Sequence, residues 1–170
     1  MKNKVDVAII GSGFAGSILA MVLAKSGLRV ALIDRTHHPR FAIGESSTPL
    51  ADMILRRLAR RYHLPSLEAL STWGSWQKQF PHLACGRKRG FSYYQHQRHQ
   101  VYSEQTLGHS SLLVAASGND DISDTHWYRA EVDEFLFQEA INHGALEFIG
   151  HEIVQIEDAT SGGFTLRSLS

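Results

Sequence analysis

Gly11, Gly13 and Gly16 stand in the stretch GSGFAG at the spacing G-x-G-x-x-G, with Phe14 and Ala15 between the second and third. That spacing suits the binding of a pyrophosphate. The first glycine lets a strand turn sharply, the second lets the backbone approach the ligand, and the third lets a helix pack closely on the strand. The helix then offers free N–H groups and the positive end of its dipole to the anion. Asp34, 18 residues beyond Gly16 at the end of RVALID, is placed to accept hydrogen bonds from ribose hydroxyls. Its charge opposes a 2′-phosphate, an opposition that neighbouring Arg35 would soften. A second group, Arg40, Gly44, Glu45, Ser46 and Ser47, lies in PRFAIGESSTPL, residues 39–50, where Glu45 reads as a buried acid. A third candidate is Lys88 in GRKRGFSYY. An amine in a dry pocket can act as nucleophile or donor, but between Arg87 and Arg89 it equally suits a solvated basic surface. Arg129, four residues before Asp133, is spaced for a structural ion pair one helical turn long.

Other combinations carry less. His82, His96, His99 and His109 lack a cysteine or carboxylate frame at ligand spacing, so no metal site is expected. Ser46 has no strand–nucleophile–helix elbow around it and is not read as part of a triad. Trp73 and Trp76, in WGSW, read as packing residues.

The elements that must hold these residues follow from periodicity. KVDVAII, residues 4–10, is an apolar, β-branched run of the kind buried on both faces of a parallel sheet. Residues 14–26 read as a helix closed by Gly27 in a left-handed cap, and RVALID, 29–34, as a second parallel strand. Residues 36–48 read as loop, and Pro49 after Thr48 starts a helix. On it Leu50, Ile54 and Leu58 share an apolar face with Met53 beside them, and Arg56, Arg57, Arg60 and Arg61 take the solvated side. Short helices are expected over 62–84, strands over 90–96 and 111–117, and loop over DISDTHW, 121–127. Residues 129–144 read as a helix with Val132, Phe135, Leu136 and Ala140 inward. ALEFI is a strand, and the remainder a hairpin around Ser161-Gly162-Gly163.

Bulk properties bound the answer. The chain has 170 residues with 43% hydrophobic and 20% charged, enough for one domain with a core. A formal net charge of zero gives no electrostatic case for nucleic acid. The single cysteine, Cys85, rules out an internal disulfide and fits a reducing, cytoplasmic setting. No run of about 18 apolar residues is present, so no membrane span is expected.

GSGFAG near the start, PRFAIGESSTP after the second strand and GRKRGFSYYQH later resemble the flavin-dependent halogenases, a group related to aromatic hydroxylase flavoproteins. The more selective of these is R-x-x-x-G-E-S-x-x-P, here Arg40, Gly44, Glu45, Ser46 and Pro49. The resemblance implies an α/β, Rossmann-like FAD-binding fold with a parallel sheet and β-hairpin or meander insertions. In it residues 39–50 would be a strap beside FAD, taking the place where an NAD domain would continue its sheet. Gly44 would allow close approach to the cofactor, Ser46 and Ser47 would supply hydrogen bonds, Glu45 would order the strap through backbone N–H groups, and Arg129 would lie near the flavin. Lys88 would hold or carry an electrophilic halogen toward an electron-rich aromatic ring, with reduced FAD, O2 and halide as co-reactants. The wording around Lys88 is closer to relatives acting on phenols or phenylpyrroles than to those acting on tryptophan. The implied partners are an aromatic substrate, free or carrier-tethered, and a separate flavin reductase; neither nucleic acid nor membrane is implied. An aromatic monooxygenase or an isoprenoid reductase would share the glycines and Arg129 without needing the lysine, and a truncated, non-catalytic nucleotide-binding module remains a third alternative. The family's A-x-G-D and tryptophan-x-tryptophan segments and its C-terminal substrate region are not found here. Residues 1–170 are therefore expected to be the N-terminal part of a single, incomplete FAD-binding domain, binding FAD poorly by itself.

Overall fold

The structure, a computed structural model, describes residues 4–96, 98–101, 111–115, 117–159 and 162–169. His109 and Ser161 lie outside these residues. In chain order the elements are β1 (Val7–Ile10), α1 (Phe14–Lys25), β2 (Val30–Asp34), α2 (Pro49–Tyr62), α3 (Pro65–Leu70), α4 (Trp73–Gln79), β3 (Cys85–Lys88), β4 (Phe91–Tyr94) and β5 (Ser111–Val114). A 3-10 turn at Asp120–Ile122 leads into β6 (Asp124–Trp127), α5 (Arg129–Asn142), β7 (Leu146–Ile149), β8 (Glu152–Asp158) and β9 (Phe164–Leu169).

β2 is the centre of the parallel sheet and all five of its residues are buried, which is why it reads Val-Ala-Leu-Ile before the terminal Asp34. β1 lies on one side of it and β7 on the other, in the order β1-β2-β7. The third strand of the sheet is thus supplied by residues 146–149, and everything from the strap to α5 is inserted between two adjacent strands. α1 packs against β2 and along α5. One hydrophobic core runs from Ile9, Met21 and Leu32 through Val132, Leu136 and Ala140 to Leu55, Leu67, Leu70 and Trp76. Trp76 is fully buried and packs on Phe80 and Phe135, as its packing role required.

Two expectations fail for tertiary reasons. Residues 124–127 were expected in a loop, yet they form β6, antiparallel to β3, with Lys88 opposite Asp124 and Cys85 opposite Trp127. Asp, Thr and His carry little strand signal of their own; the pairing decides. On α2 the inward face is centred on Asp52, Leu55 and Ala59; Leu58 packs against the core half-buried, but Leu50 and Ile54 are 62% and 45% exposed. The helix is rotated because its entry is fixed by hydrogen bonds at Ser47, described below. Antiparallel pairs β4–β5 and β8–β9 complete the described structure.

Candidate functional site

Two clusters gather the residues with chemistry. The first is at the C-terminal edge of β1 and β2. Gly11 turns the chain at φ +108°, and its N–H donates to the Ile33 carbonyl at 2.7 Å. A Cβ on Gly16 would lie 1.9 Å from the Gly11 carbonyl oxygen, so only glycine permits this contact of helix and strand. Gly13 caps α1 with no side-chain acceptor, and no acid occupies the first turn. Phe14 stacks on Trp127 with centroids 4.8 Å apart, while Ala15 is exposed.

Asp34 is buried there and takes five hydrogen bonds from the chain. Its Oδ2 accepts from the Ser12 N–H at 2.9 Å, the Ser12 hydroxyl at 3.1 Å and Arg40 at 3.0 Å. Its Oδ1 accepts from the N–H and hydroxyl of Thr36 at 3.0 and 2.8 Å. Burial alone would raise its pKa. The N–H groups of Ser12 and Thr36, the Thr36 hydroxyl and the Arg40 charge outweigh that and hold the carboxyl well below the usual carboxylate range. With about four lone-pair sites on a carboxylate, Asp34 is saturated, and a ribose hydroxyl would have to replace one of these donors. Arg35 points to solvent, 3.8 Å from Glu152.

Two arginines tack the strap down. Arg40 reaches back to Asp34. Arg129 forms a two-pronged pair with fully buried Asp133, at 2.7 and 2.9 Å, and gives its remaining nitrogen to the carbonyls of Ile43 and Gly44 at 2.8 and 3.2 Å. Its guanidinium also lies 5.6 Å from the Phe14 ring centre. Gly44 passes this point at φ +89°, where a Cβ would be 3.6 Å from Arg129 Nη1. Between the arginines the strap borders a groove of about 410 Å³ lined by Arg40, Phe41, Glu45, Tyr128 and Arg129. Phe41 and Ile43 stand 87% and 78% exposed. Glu45, expected to be buried and to order the strap by its carboxylate, is exposed; its backbone carbonyl does the ordering, accepting from the Trp127 N–H at 2.8 Å.

The second cluster surrounds Lys88. Alternation along β3 separates the basic trio: Arg87 and Arg89 both pair with Asp120 at the surface, whereas Lys88 is buried. Lys88 Nζ donates to the Ser47 carbonyl at 2.5 Å and lies 4.5 Å from the Phe91 ring centre. Ser47 is buried as well. Its N–H donates to the Thr125 carbonyl at 2.8 Å and its Oγ accepts from the Thr125 N–H at 2.8 Å. Ser46, exposed, bonds His126 Nδ1 at 2.9 Å. Residues 45–47 thereby run as an extra antiparallel line beside β6, joining the strap to the lysine strand.

Sequence reasoning missed two residues here, Asp52 and Asp124, both buried. Burial first, and the facing Asp124 carboxyl second, push Asp52 up to about 7 against the opposing effects of Ser47 and Arg56. The available signal was an acid at i, i+3, i+7 spacing with Leu55 and Ala59. Among the described residues, no group of three His, Cys, Asp or Glu could hold a metal ion, and no helix is long and apolar enough to cross a membrane.

Comparison with known proteins gives a consistent set of relatives. The family model for FAD dependent oxidoreductases matches residues 6–167. The chain is 34% identical over 142 residues to the monodechloroaminopyrrolnitrin halogenase PrnC of Pseudomonas fluorescens, covering 84% of this chain and 24% of that protein. It is 32% identical over 165 residues to the tetracycline 7-halogenase of Kitasatospora aureofaciens, covering 95% of this chain and 28% of that one. The crystal structure of the halogenase PltM in complex with phloroglucinol and FAD superposes with a TM-score of 0.80 at 33% identity, covering 98% of this chain and 32% of PltM. The chain spans about a quarter to a third of the length of these relatives.

Proposed function

Since the chain belongs to the FAD-dependent oxidoreductase family, we propose that it is the N-terminal part of the FAD-binding domain of a flavin-dependent halogenase. The whole enzyme takes reduced FAD, O2 and halide and halogenates an electron-rich aromatic ring of the phenol or pyrrole class, free or carrier-tethered. The observation that carries this reading is the burial of Lys88 beside the strap, with its amine on the Ser47 carbonyl instead of in solvent.

The residues fit FAD. α1 opens on a glycine with no side chain competing for its N–H groups, and a Cβ at Gly13 would lie 3.4 Å from Arg40 Nη2. The exposed apolar side chains of the strap beside the 410 Å³ groove suit a flat ring system better than water. When bound, the cofactor supplies the activation of O2 that makes halide electrophilic. The chain's own contributions are then distinct. Gly11, Gly13 and the start of α1 hold the pyrophosphate. Asp34 acts at one remove, fixing Ser12 and Arg40. Arg40, Arg129 and Gly44 set the strap's path. Lys88, desolvated and oriented by Ser47, presents its amine to the halogen and the substrate. A separate flavin reductase is the proposed source of reducing equivalents, and free Cys85 is in keeping with a cytoplasmic setting.

In the full-length enzyme, Lys88→Ala should keep FAD and lose halogenation by at least about 100-fold, the scale of a positioned acid–base group. Product analysis with bromide present reads this directly. An unchanged rate, or a hydroxylated product from the unaltered enzyme, would overturn the assignment.

A further inference from the structure

We propose that Asp52 and Asp124 form a proton-sharing pair that positions Lys88 through Ser47. The proposal rests on the reading of Lys88 given above, and it concerns two acids with no part in that reaction scheme.

The pair is built from three elements. Asp52 lies in the first turn of α2, Asp124 opens β6, and Lys88, at the end of β3, is the direct cross-strand neighbour of Asp124. Directly opposed residues on antiparallel strands share a face. All three side chains are buried. The Asp124 carboxyl faces that of Asp52 and raises its pKa; ionised carboxylates only accept, so a proton on one of them is what would let the two bond. Among the described residues Asp52 Oδ1 is buried without a hydrogen-bond partner, a costly state that a proton shared with the facing acid would relieve.

Ser47 connects this pair to the amine. Its hydroxyl acts on Asp52, lowering that acid's pKa; its Oγ and N–H clasp Thr125, the residue after Asp124, and its carbonyl receives Lys88 Nζ. A displacement between α2 and β6 therefore moves the Ser47 carbonyl that receives the amine. The charges around Asp52 are Asp124 from β6, Arg56 one turn along α2, and Lys88 beyond Asp124 on β3. From α3, Glu68 is engaged by Arg60, at 3.4 Å.

While the pair holds its proton, it bridges α2 and β6. Once that proton leaves, two buried like charges face each other and repel, and the Ser47 carbonyl loses its fixed aim. Lys88 is then held in acid and released above neutrality.

The test uses the chain labelled with 13C in its lysine and aspartate side chains, followed by NMR from pH 5 to 9, with Lys88 assigned through Lys88→Arg. A carboxyl signal should titrate near pH 7, and the Lys88 Cε signal should shift with the same midpoint. In Asp52→Asn the amide supplies a permanent donor to Asp124, and the Lys88 inflection should vanish while the remaining lysine signals stay in place. Asp124→Asn should abolish the inflection too and serves if the first variant fails to fold. A flat Lys88 signal in the unaltered chain, or an inflection that survives either substitution, would overturn the proposal. Because this readout is independent of turnover, its failure is distinct from that of the catalytic reading, which the Lys88→Ala rate decides.

Discussion

Asp34 and Asp52 are both buried acids at the strap, and their environments push them in opposite directions. Asp34 is surrounded by donors, so its folded pKa lies below the unfolded one. Its contribution is full above the ordinary carboxylate range and is lost as pH falls below about 4. Asp52 faces another acid, so its folded pKa, about 7, lies above the unfolded one. Its contribution is full in acid and is lost as pH rises from about 4 to about 7. Urea unfolding of Asp34→Asn should show a lower midpoint than the unaltered chain at pH 7, with the gap closing below about pH 4. For Asp52→Asn the decline in stability between about pH 4 and 7 should flatten. Curves running parallel to the unaltered chain at every pH would show that neither acid is perturbed as described. The residue scale was partly legible in sequence. The glycines, Asp34, Arg40 and Lys88 were recognisable from spacing and resemblance. Asp52 was hidden because an acid on an amphipathic helix is read onto its wet face. The saturation of Asp34 depends on Thr36 and on Arg40 folding back from the strap, which no spacing records.

The element that matters most is the junction of strap and α2. Thr48 is its N-cap, accepting from the Ala51 N–H at 3.2 Å, with Pro49 at the first helical position. Ser47 immediately before is pinned to β6, so the cap sets both where the helix starts and which face Asp52 occupies. Thr48→Ala should cost about 1 kcal/mol of stability by chemical denaturation. It should also raise amide exchange at residues 51–55 before the rest of α2. Thr48 and Pro49 were legible as a helix start because capping chemistry is local. The rotation of α2 and the existence of β6 were not, because both are imposed by partners distant in sequence: Lys88 and Cys85 on β3, and Glu45 and Ser47 on the strap. Arg129 shows the same limit. Its sequence context left a ligand-facing role and an ion pair open, and the structure gives it the ion pair with Asp133 together with the strap carbonyls.

At the scale of the molecule, one core joins the sheet to the α2–α4 layer through Leu136, Trp76 and Leu55. The strap lies between these parts, fastened at Asp34 on one side and at Thr125 and Trp127 on the other. Both proposed roles, cofactor support and lysine placement, therefore draw on the same short segment. Changes to residues 40–47 should disturb the two together, whereas changes to β8–β9 should leave both alone.

The sheet order β1-β2-β7 also has a consequence for biosynthesis. On the ribosome, β1, α1 and β2 can associate as soon as Asp34 has emerged. The second edge of β2 then stays unpaired until Leu146–Ile149 follows, after the whole insertion has been made. The open edge of an apolar run, Val30 to Ile33, is a template for wrong pairing. Nascent chains arrested with residues up to about 140 outside the ribosome should be protease-sensitive and should recruit chaperones; those arrested with β7 fully emerged should be protected. Equal protection at both arrest points would mean that β7 does not close the sheet. The insertion that supplies the strap and the lysine thus lengthens the period in which the newborn protein is vulnerable.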